Sequence, residues 1–439
     1  MNRPERELPI TGLDVIRFLA AFLVMDHHLT FWSWAVPYEA TANSITNGIP
    51  AFLSLTWLSW FGAVGVDIFF VLSGFVILHS AGRDSRSFAR SRVLRLVPGA
   101  LLSASLCAVM LLLLNTMPAW SVATRFFRSI FFSPYGPWID GVYWTLGIEI
   151  VFYATIFVLL KTASVERLRL VLYPIGIVSS AFWLMSVFFG LNVYIDATFG
   201  PAVVRTLQLL LVYHGNLFTI GGLLWASLLG QRKGADLPVI ALCVGTAMLH
   251  IANDKAWEAE VAHSTAAVPI LLWATCMVGI FLSVRFNGQI SRVIPGRFAR
   301  NIGIATYPLY LINDVIGAVF LKGAYAITSQ AETALAFAML ATCALALSIA
   351  AFAEPPIRTV LATAFDRIWR KPQRTQSFND GSESSGFGTA PSRSPAPSRC
   401  RLEMTSGLSP PQNKSPATPA LCWCHGSLSS DSTEMPDVP

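Results

Sequence analysis

Residues 11–30 read TGLDVIRFLAAFLVMDHHLT, and the fold turns on how this stretch is understood. It is long and apolar enough for a helix to cross a bilayer, which takes about 20 residues. Yet it carries Asp14, Arg17, Asp26, His27 and His28. A charged group at the bilayer centre costs about 2.5 kcal/mol or more, so such groups face a bundle interior or a wet cavity. A helix of this kind needs neighbours. At about 100° per residue, His28 lies about 20° from Arg17 around the axis, and Asp14 lies within about 40° of His28. His27 points about 80° away from Arg17, and Asp26 about 180°. Asp14, Arg17 and His28 thus share one stripe, with His28 roughly 16 Å along the axis from Arg17. The competing reading is an interfacial Asp14–Arg17 pair with histidines that only reach out to water.

The rest of the chain supplies the neighbours. Its 439 residues are 54% apolar and 13% charged, with mean hydropathy +0.56. Soluble domains carry about 25% charged residues, so this composition leaves too little polar surface for a soluble core. It specifies an all-α, polytopic membrane protein. Ten stretches reach membrane length: 13–31, 61–79, 98–115, 142–160, 170–190, 204–229, 237–252, 266–284, 303–321 and 333–353. The first is too long and too charged for a cleaved signal peptide, and no small-residue cleavage site follows it, so it is expected to remain.

Lysines and arginines alternate between the connections. Twenty-one fall on the side of the N-terminus and four on the other, which predicts that both termini are cytoplasmic. The basic pI near 9.0 therefore reflects topology, and no nucleic-acid partner is expected; the partner surface is the lipid bilayer. From about Lys371 the composition turns to Ser, Pro, Gly, Thr and Asn. Residues 371–439 are read as a disordered cytoplasmic tail, separate from a membrane domain over 1–360. Of seven cysteines, Cys107, Cys243, Cys276 and Cys343 lie in apolar spans and Cys400, Cys422 and Cys424 in the tail. No disulfide framework emerges. Cys422-Trp-Cys424-His425 has metal-like spacing but lacks a second pair, so no metal is expected.

Polar groups recur in other spans. GAVGVDIFFVLSGFVI (62–77) holds Asp67 and Ser73, and GVYWTLGIEIVFYA (141–154) holds Glu149 below Tyr143 and Trp144. By depth, Asp67, Glu149 and His28 are expected to meet in the outer half of the membrane. A carboxylate beside an imidazole fixes its tautomer and stabilises its protonated form, the arrangement of a general base. The plainer alternative for Glu149 is a hydrogen bond between packed helices. SFARSRVLRLVP (87–98) places Arg90, Arg92 and Arg95 at the cytoplasmic end of the third span. They are either positive-inside residues or an anion site suited to phosphates.

These stretches together resemble the acyltransferase-3 family of bacterial ten-helix membrane O-acyltransferases. Leu13, Asp14, Arg17 and His28 match its first-helix motif, and Phe69, Phe70, Ser73, Gly74 and Phe75 its second. Arg92, Arg95 and Pro98 match R-x-x-R-x-x-P, while Trp144, Thr145, Leu146, Glu149, Phe152 and Tyr153 match W-(S/T)-L-x-x-E-x-x-F-Y. YPLYLIND (307–314) and FAEPPI (352–357) resemble two later elements, and the likeness runs over about residues 10–360. Two departures stand out: Asn313 where the family often has His, and Pro355 where it has a base. No extracellular hydrolase-like domain is expected beyond the tenth helix.

The resemblance implies transfer of an acyl group, usually acetyl, from cytoplasmic acyl-CoA to a hydroxyl of a carbohydrate presented from outside, either a polysaccharide or a lipid-linked oligosaccharide. His28, Glu149, Arg17 and Asp14 would be catalytic, with His28 the base. Arg92, Arg95 and Arg90 would hold acetyl-CoA or another acyl-CoA by its phosphates. Trp144, Tyr143, Asp67 and Ser73 would meet the acceptor. The expected location is the bacterial inner membrane. Two rivals from other classes remain. Intramembrane Arg, His, Asp and Glu also build proton relays in transporters, although no inverted repeat of the first five spans appears in the last five. A passive scaffold is the other, and it leaves the buried charge without a use.

Overall fold

The computed structural model describes residues 10–35, 41–46, 52–80, 84–162, 167–228 and 233–368. The tail predicted over 371–439, and Arg3, Arg6, Arg83, Arg232 and Arg370 of the loop count, lie outside them. Among the described residues every regular element is helical. The main helices are α1 (Thr11–Asp26), α2 (Val64–His79), α3 (Ser85–Leu113), α4 (Trp144–Thr162), α5 (Arg169–Phe189) and α6 (Gly215–Leu228). They continue as α7 (Asp236–Asp254), α8 (Ala267–Arg285), α9 (Gly296–Ile312), α10 (Val315–Thr328), α11 (Ala331–Ser348) and α12 (Glu354–Ile368).

Eight helical segments among the described residues are long and apolar enough to cross a membrane. In addition, α9 and α10 pass that test only together, bent by 80° at a short break, and α6 is a shorter apolar helix. The ten stretches read from the sequence overlap these helices, with 204–229 divided between the end of the helix Leu191–Leu209 and α6. The chain is a polytopic helical membrane protein. Leu113, Phe188, Leu271 and Leu340, each 66% exposed or more, project outward. Water would penalise that apolar area at about 25 cal/mol per Å²; lipid does not.

The polar helix α1 lies inside the bundle against α2, α8 and α9. Close approach to α2 depends on Gly65, where a Cβ would stand 2.4 Å from the Ala20 carbonyl oxygen. At the α2–α6 crossing, a Cβ on Gly221 would stand 1.9 Å from the Val71 carbonyl oxygen. Small residues let membrane helices pack backbone to backbone where no hydrophobic drive separates lipid from protein. Three departures from regular helix shape the interior. His27–Phe31 forms a π-helical turn at the end of α1, a feature that often marks functional sites. The α9–α10 break falls at Asn313 and Asp314. The connection before α4 buries Ile139 and Asp140, which are 1% and 0% exposed.

Candidate active site

Three cavities run in sequence through the bundle. The first opens at the arginine-rich end, encloses about 1460 Å³, and is lined by Asp14, Arg17, Ser87, Arg90, Arg95, Arg300, Tyr307 and Arg358. The second, about 690 Å³, is lined by Arg17, Ser73, Arg92, Arg95, Glu149, Tyr153, Thr306 and Tyr307, with Tyr310. The third, about 2110 Å³, lies at the opposite end and contains His27, His28, Asp67, Trp138, Trp144, Arg205 and Tyr310. Arg17, Arg95 and Tyr307 are common to the first and second, Val66 and Tyr310 to the second and third. The Asp14–Arg17–His28 stripe runs along this series. Asp14 and Arg17 pair at 3.2 Å, as their three-residue spacing required.

The structure separates the two histidines. His27 is 1% exposed, donates from Nδ1 to the Ser59 carbonyl at 3.1 Å and stacks on Phe31. His28 is only partly buried and sits 2.6 Å by Nδ1 from Asn313 Oδ1. Asn313 donates its Nδ2 to the Tyr310 carbonyl at 2.7 Å, which fixes the amide with Oδ1 towards the imidazole. An amide oxygen only accepts, so Nδ1 of His28 carries the proton and Nε2 keeps its lone pair. That is the tautomer a base needs.

Asn313 stands where it does because the α9–α10 span breaks there. Asp140 accepts hydrogen bonds from Val315 N at 3.2 Å and Val142 N at 3.1 Å, tying the start of α10 to the start of α4. Asp314 accepts from Ala42 N at 3.1 Å. Burial and the neighbouring Asp314 carboxylate hold the Asp140 carboxyl well above the usual carboxylate range.

Glu149 does not meet His28. Its Oε1 accepts from Ser73 Oγ at 2.7 Å and its Oε2 from the Tyr153 hydroxyl at 2.9 Å, in the cavity of Arg17, Arg92 and Arg95. Depth counted along α4 does not fix which groups a side chain meets, and packing against α2 sets Glu149 beside Ser73 and the arginines. Asp67 lines the third cavity with His28, as expected. Ser73 lies with Glu149 in the second and is not among the residues lining the acceptor end.

The basic cluster divides too. Arg90 forms a two-pronged pair with Asp366 of α12, at 3.1 and 3.0 Å, so its guanidinium is already engaged by a carboxylate at the rim of the first cavity. Arg92 is 7% exposed, donates to Ser80 Oγ and lies over the Phe88 and Tyr153 rings at 5.3 and 5.4 Å. Its Nε has no partner among the described residues. Arg95 borders both the first and second cavities and forms no ion pair among the described residues. Arg300 in the first cavity is similarly unpaired, whereas Arg358 is held by Glu354.

Of the two aromatic residues expected to meet a sugar, Trp144 lines the third cavity. Tyr143 is 2% exposed, donates to the Ala100 carbonyl at 3.0 Å and lines none of the three cavities. It ends the 3-10 turn Gly141–Tyr143, and its hydroxyl reaches α3. Trp138 and Arg205 were missed by sequence reasoning. Arg205 donates to the Pro134 and Trp144 carbonyls at 2.7 and 2.8 Å and lies 5.1 Å from the Trp138 ring. No spacing motif announces that assembly, since Arg205 comes from the helix Leu191–Leu209 and Pro134 and Trp138 from the connection before α4. Asn313, Tyr307 and Tyr310 were visible only as part of YPLYLIND.

Comparison with known proteins follows this geometry. Nodulation protein 10 of Rhizobium leguminosarum bv. viciae is 27% identical over 220 residues, covering 43% of this chain and 56% of that protein. The chain thus spans about half the length of that curated relative. No solved structure matches. The family described as "Acyltransferase domain" matches residues 10–353, which include α1 to α11 and every residue of the three cavities except Arg358. With its motifs seated along one internal path, this chain belongs to the acyltransferase-3 family.

Proposed function

We propose that the protein is a membrane O-acyltransferase that moves an acyl group, acetyl in the first instance, from cytoplasmic acyl-CoA to a hydroxyl of a cell-surface or secreted carbohydrate. The observation that carries this reading is the series of three cavities, arginine-rich at one end and holding His28 at the other. Acyl-CoA enters from the arginine end, taken as cytoplasmic from the lysine and arginine bias. Its phosphates lie against Arg95 and Arg300, while Arg92 sits further in. Charge-assisted contacts to phosphate suit guanidinium groups. The acyl-bearing arm passes Ser73, Glu149 and Tyr153 towards Tyr310 and the third cavity.

The acceptor approaches through the third cavity beside Trp144 and Trp138, whose faces suit sugar rings. His28 Nε2 takes the proton of the acceptor hydroxyl while its oxygen attacks the thioester carbon. The new C–O bond forms, the C–S bond breaks, and the CoA thiolate receives the proton back from the imidazolium. Asn313 keeps Nδ1 protonated throughout and so holds the base in its working tautomer. Family membership supports acyl transfer.

The test uses purified full-length protein in detergent with acyl-labelled acetyl-CoA and the envelope carbohydrate of the producing cell. Acyl-CoA consumption with label appearing on carbohydrate, and loss of both in His28→Ala, is the expected result. Flux of a saccharide across vesicles without covalent change would overturn the proposal in favour of a transporter. In cells, proton NMR of the polysaccharide with and without the gene identifies the acyl group and the hydroxyl it joins.

A further inference from the structure

A second cluster in the third cavity takes no part in this chemistry. Asp67 of α2, His214 just before α6 and His250 of α7 each turn one possible ligand atom inward, all within 4.8 Å of one another. The three are 6%, 6% and 2% exposed. Among the described residues neither ring nitrogen of His214 has a hydrogen-bond partner, nor does Nδ1 of His250. A buried polar atom left unpaired costs about 1–3 kcal/mol, and native proteins rarely leave several together. The two imidazole centroids are 5.3 Å apart. Two imidazoles sharing one tetrahedral ion, with bonds of about 2.0–2.1 Å, place their centroids about 5 Å apart.

Around the cluster the third cavity also carries Asp254, Lys255 and Glu258, with Lys255 paired to both carboxylates. We propose that Asp67, His214 and His250 form a binding site for a divalent transition ion of the zinc class. Two nitrogens and one carboxylate oxygen are a donor set such ions favour. With three protein ligands, the remaining coordination position faces the third cavity. The ion would tie α2 and α7 to the segment just before α6, and Asn216 at the start of α6 already donates to Thr246 of α7 at 3.4 Å. This site stands independently of acyl transfer.

The experiment measures zinc in the purified full-length chain. Protein is stripped with EDTA, re-equilibrated with zinc chloride, freed of excess and assayed by elemental analysis and thermal unfolding. Cys422 and Cys424 are replaced by Ser in every sample, so that the tail contributes no thiolate. The expected result is about one zinc per chain and a melting temperature several degrees above the stripped form, since a ligand that binds only the folded state stabilises it. His214→Gln and His250→Gln should each lower zinc affinity by 100-fold or more and abolish the thermal shift. Cobalt substitution should give visible absorption bands that disappear in the same variants. Should a histidine variant not accumulate, Asp67→Asn and the stoichiometry of the parent protein still decide. Stripped parent protein that takes up no zinc, or zinc content that is unchanged in the variants, would overturn the proposal.

Discussion

Asn313→Leu tests the placement of the base most directly. Leucine keeps the γ-branched outline of asparagine but is bulkier, and Asn313 is fully buried, so folded yield is read beside the rate. Two hydrogen bonds disappear, from His28 Nδ1 at 2.6 Å and to the Tyr310 carbonyl at 2.7 Å. Each buried bond is worth about 0.5–1.5 kcal/mol, and His28 loses the acceptor that keeps its proton on Nδ1. If both contribute near 1.4 kcal/mol to holding the reactive tautomer, turnover falls by about 10²-fold, because every 1.4 kcal/mol is a factor of ten. The assay is acyl transfer at saturating acyl-CoA, with CoA affinity and folded yield measured on the same preparation. Affinity should stay within a few-fold, because the phosphates are placed two cavities away. Asn313→His, which offers a ring nitrogen as acceptor, should recover part of the rate. A Leu variant that turns over at the parent rate would refute the reasoning, as would one whose loss is entirely a loss of folded protein.

Further outcomes follow from the same geometry. His28→Ala should abolish transfer while the protein still inserts and accumulates, and His27→Ala should keep substantial activity but lower folded yield; the reverse pattern would move the base to His27. Arg95→Ala should weaken CoA binding by about 10- to 150-fold, the range for one lost charge-assisted contact of roughly 1.5–3 kcal/mol, whereas Arg90→Ala should leave CoA affinity alone and loosen α12; equal effects in direct CoA-binding titrations would contradict the division. Glu149→Gln should shift the KM for acyl-CoA and leave the KM for the acceptor unchanged, because Glu149 shares its cavity with Arg92 and Arg95; a shift confined to the acceptor would return it to the outer site. Gly221→Ala should cut the yield of monodisperse protein from detergent, since its Cβ would stand 1.9 Å from a backbone oxygen of α2 and overpacking costs about 1–3 kcal/mol; an unchanged unfolding temperature would show that the helices separate freely.

Much of this architecture follows from composition and period alone. A chain with 13% charged residues has to place its helices in lipid, and the 100° step of a helix puts His28 with Arg17 and His27 away from them. Those are local properties, and the structure keeps them. Depth was different. The sequence places Glu149 on α4, but the groups it meets depend on how α4 packs against α2, which sets Ser73 beside it. Tyr143 and Arg90 were reassigned for the same reason: Ala100 and Asp366, the groups that engage them, are distant in sequence. Asn313 as the partner of His28, and Asp67 with His214 and His250 at one point, arise from contacts between separate helices. Periodicity along one helix fixes which side a residue faces, while only the packing of helices, set by glycine crossings and a broken span, decides what it meets there.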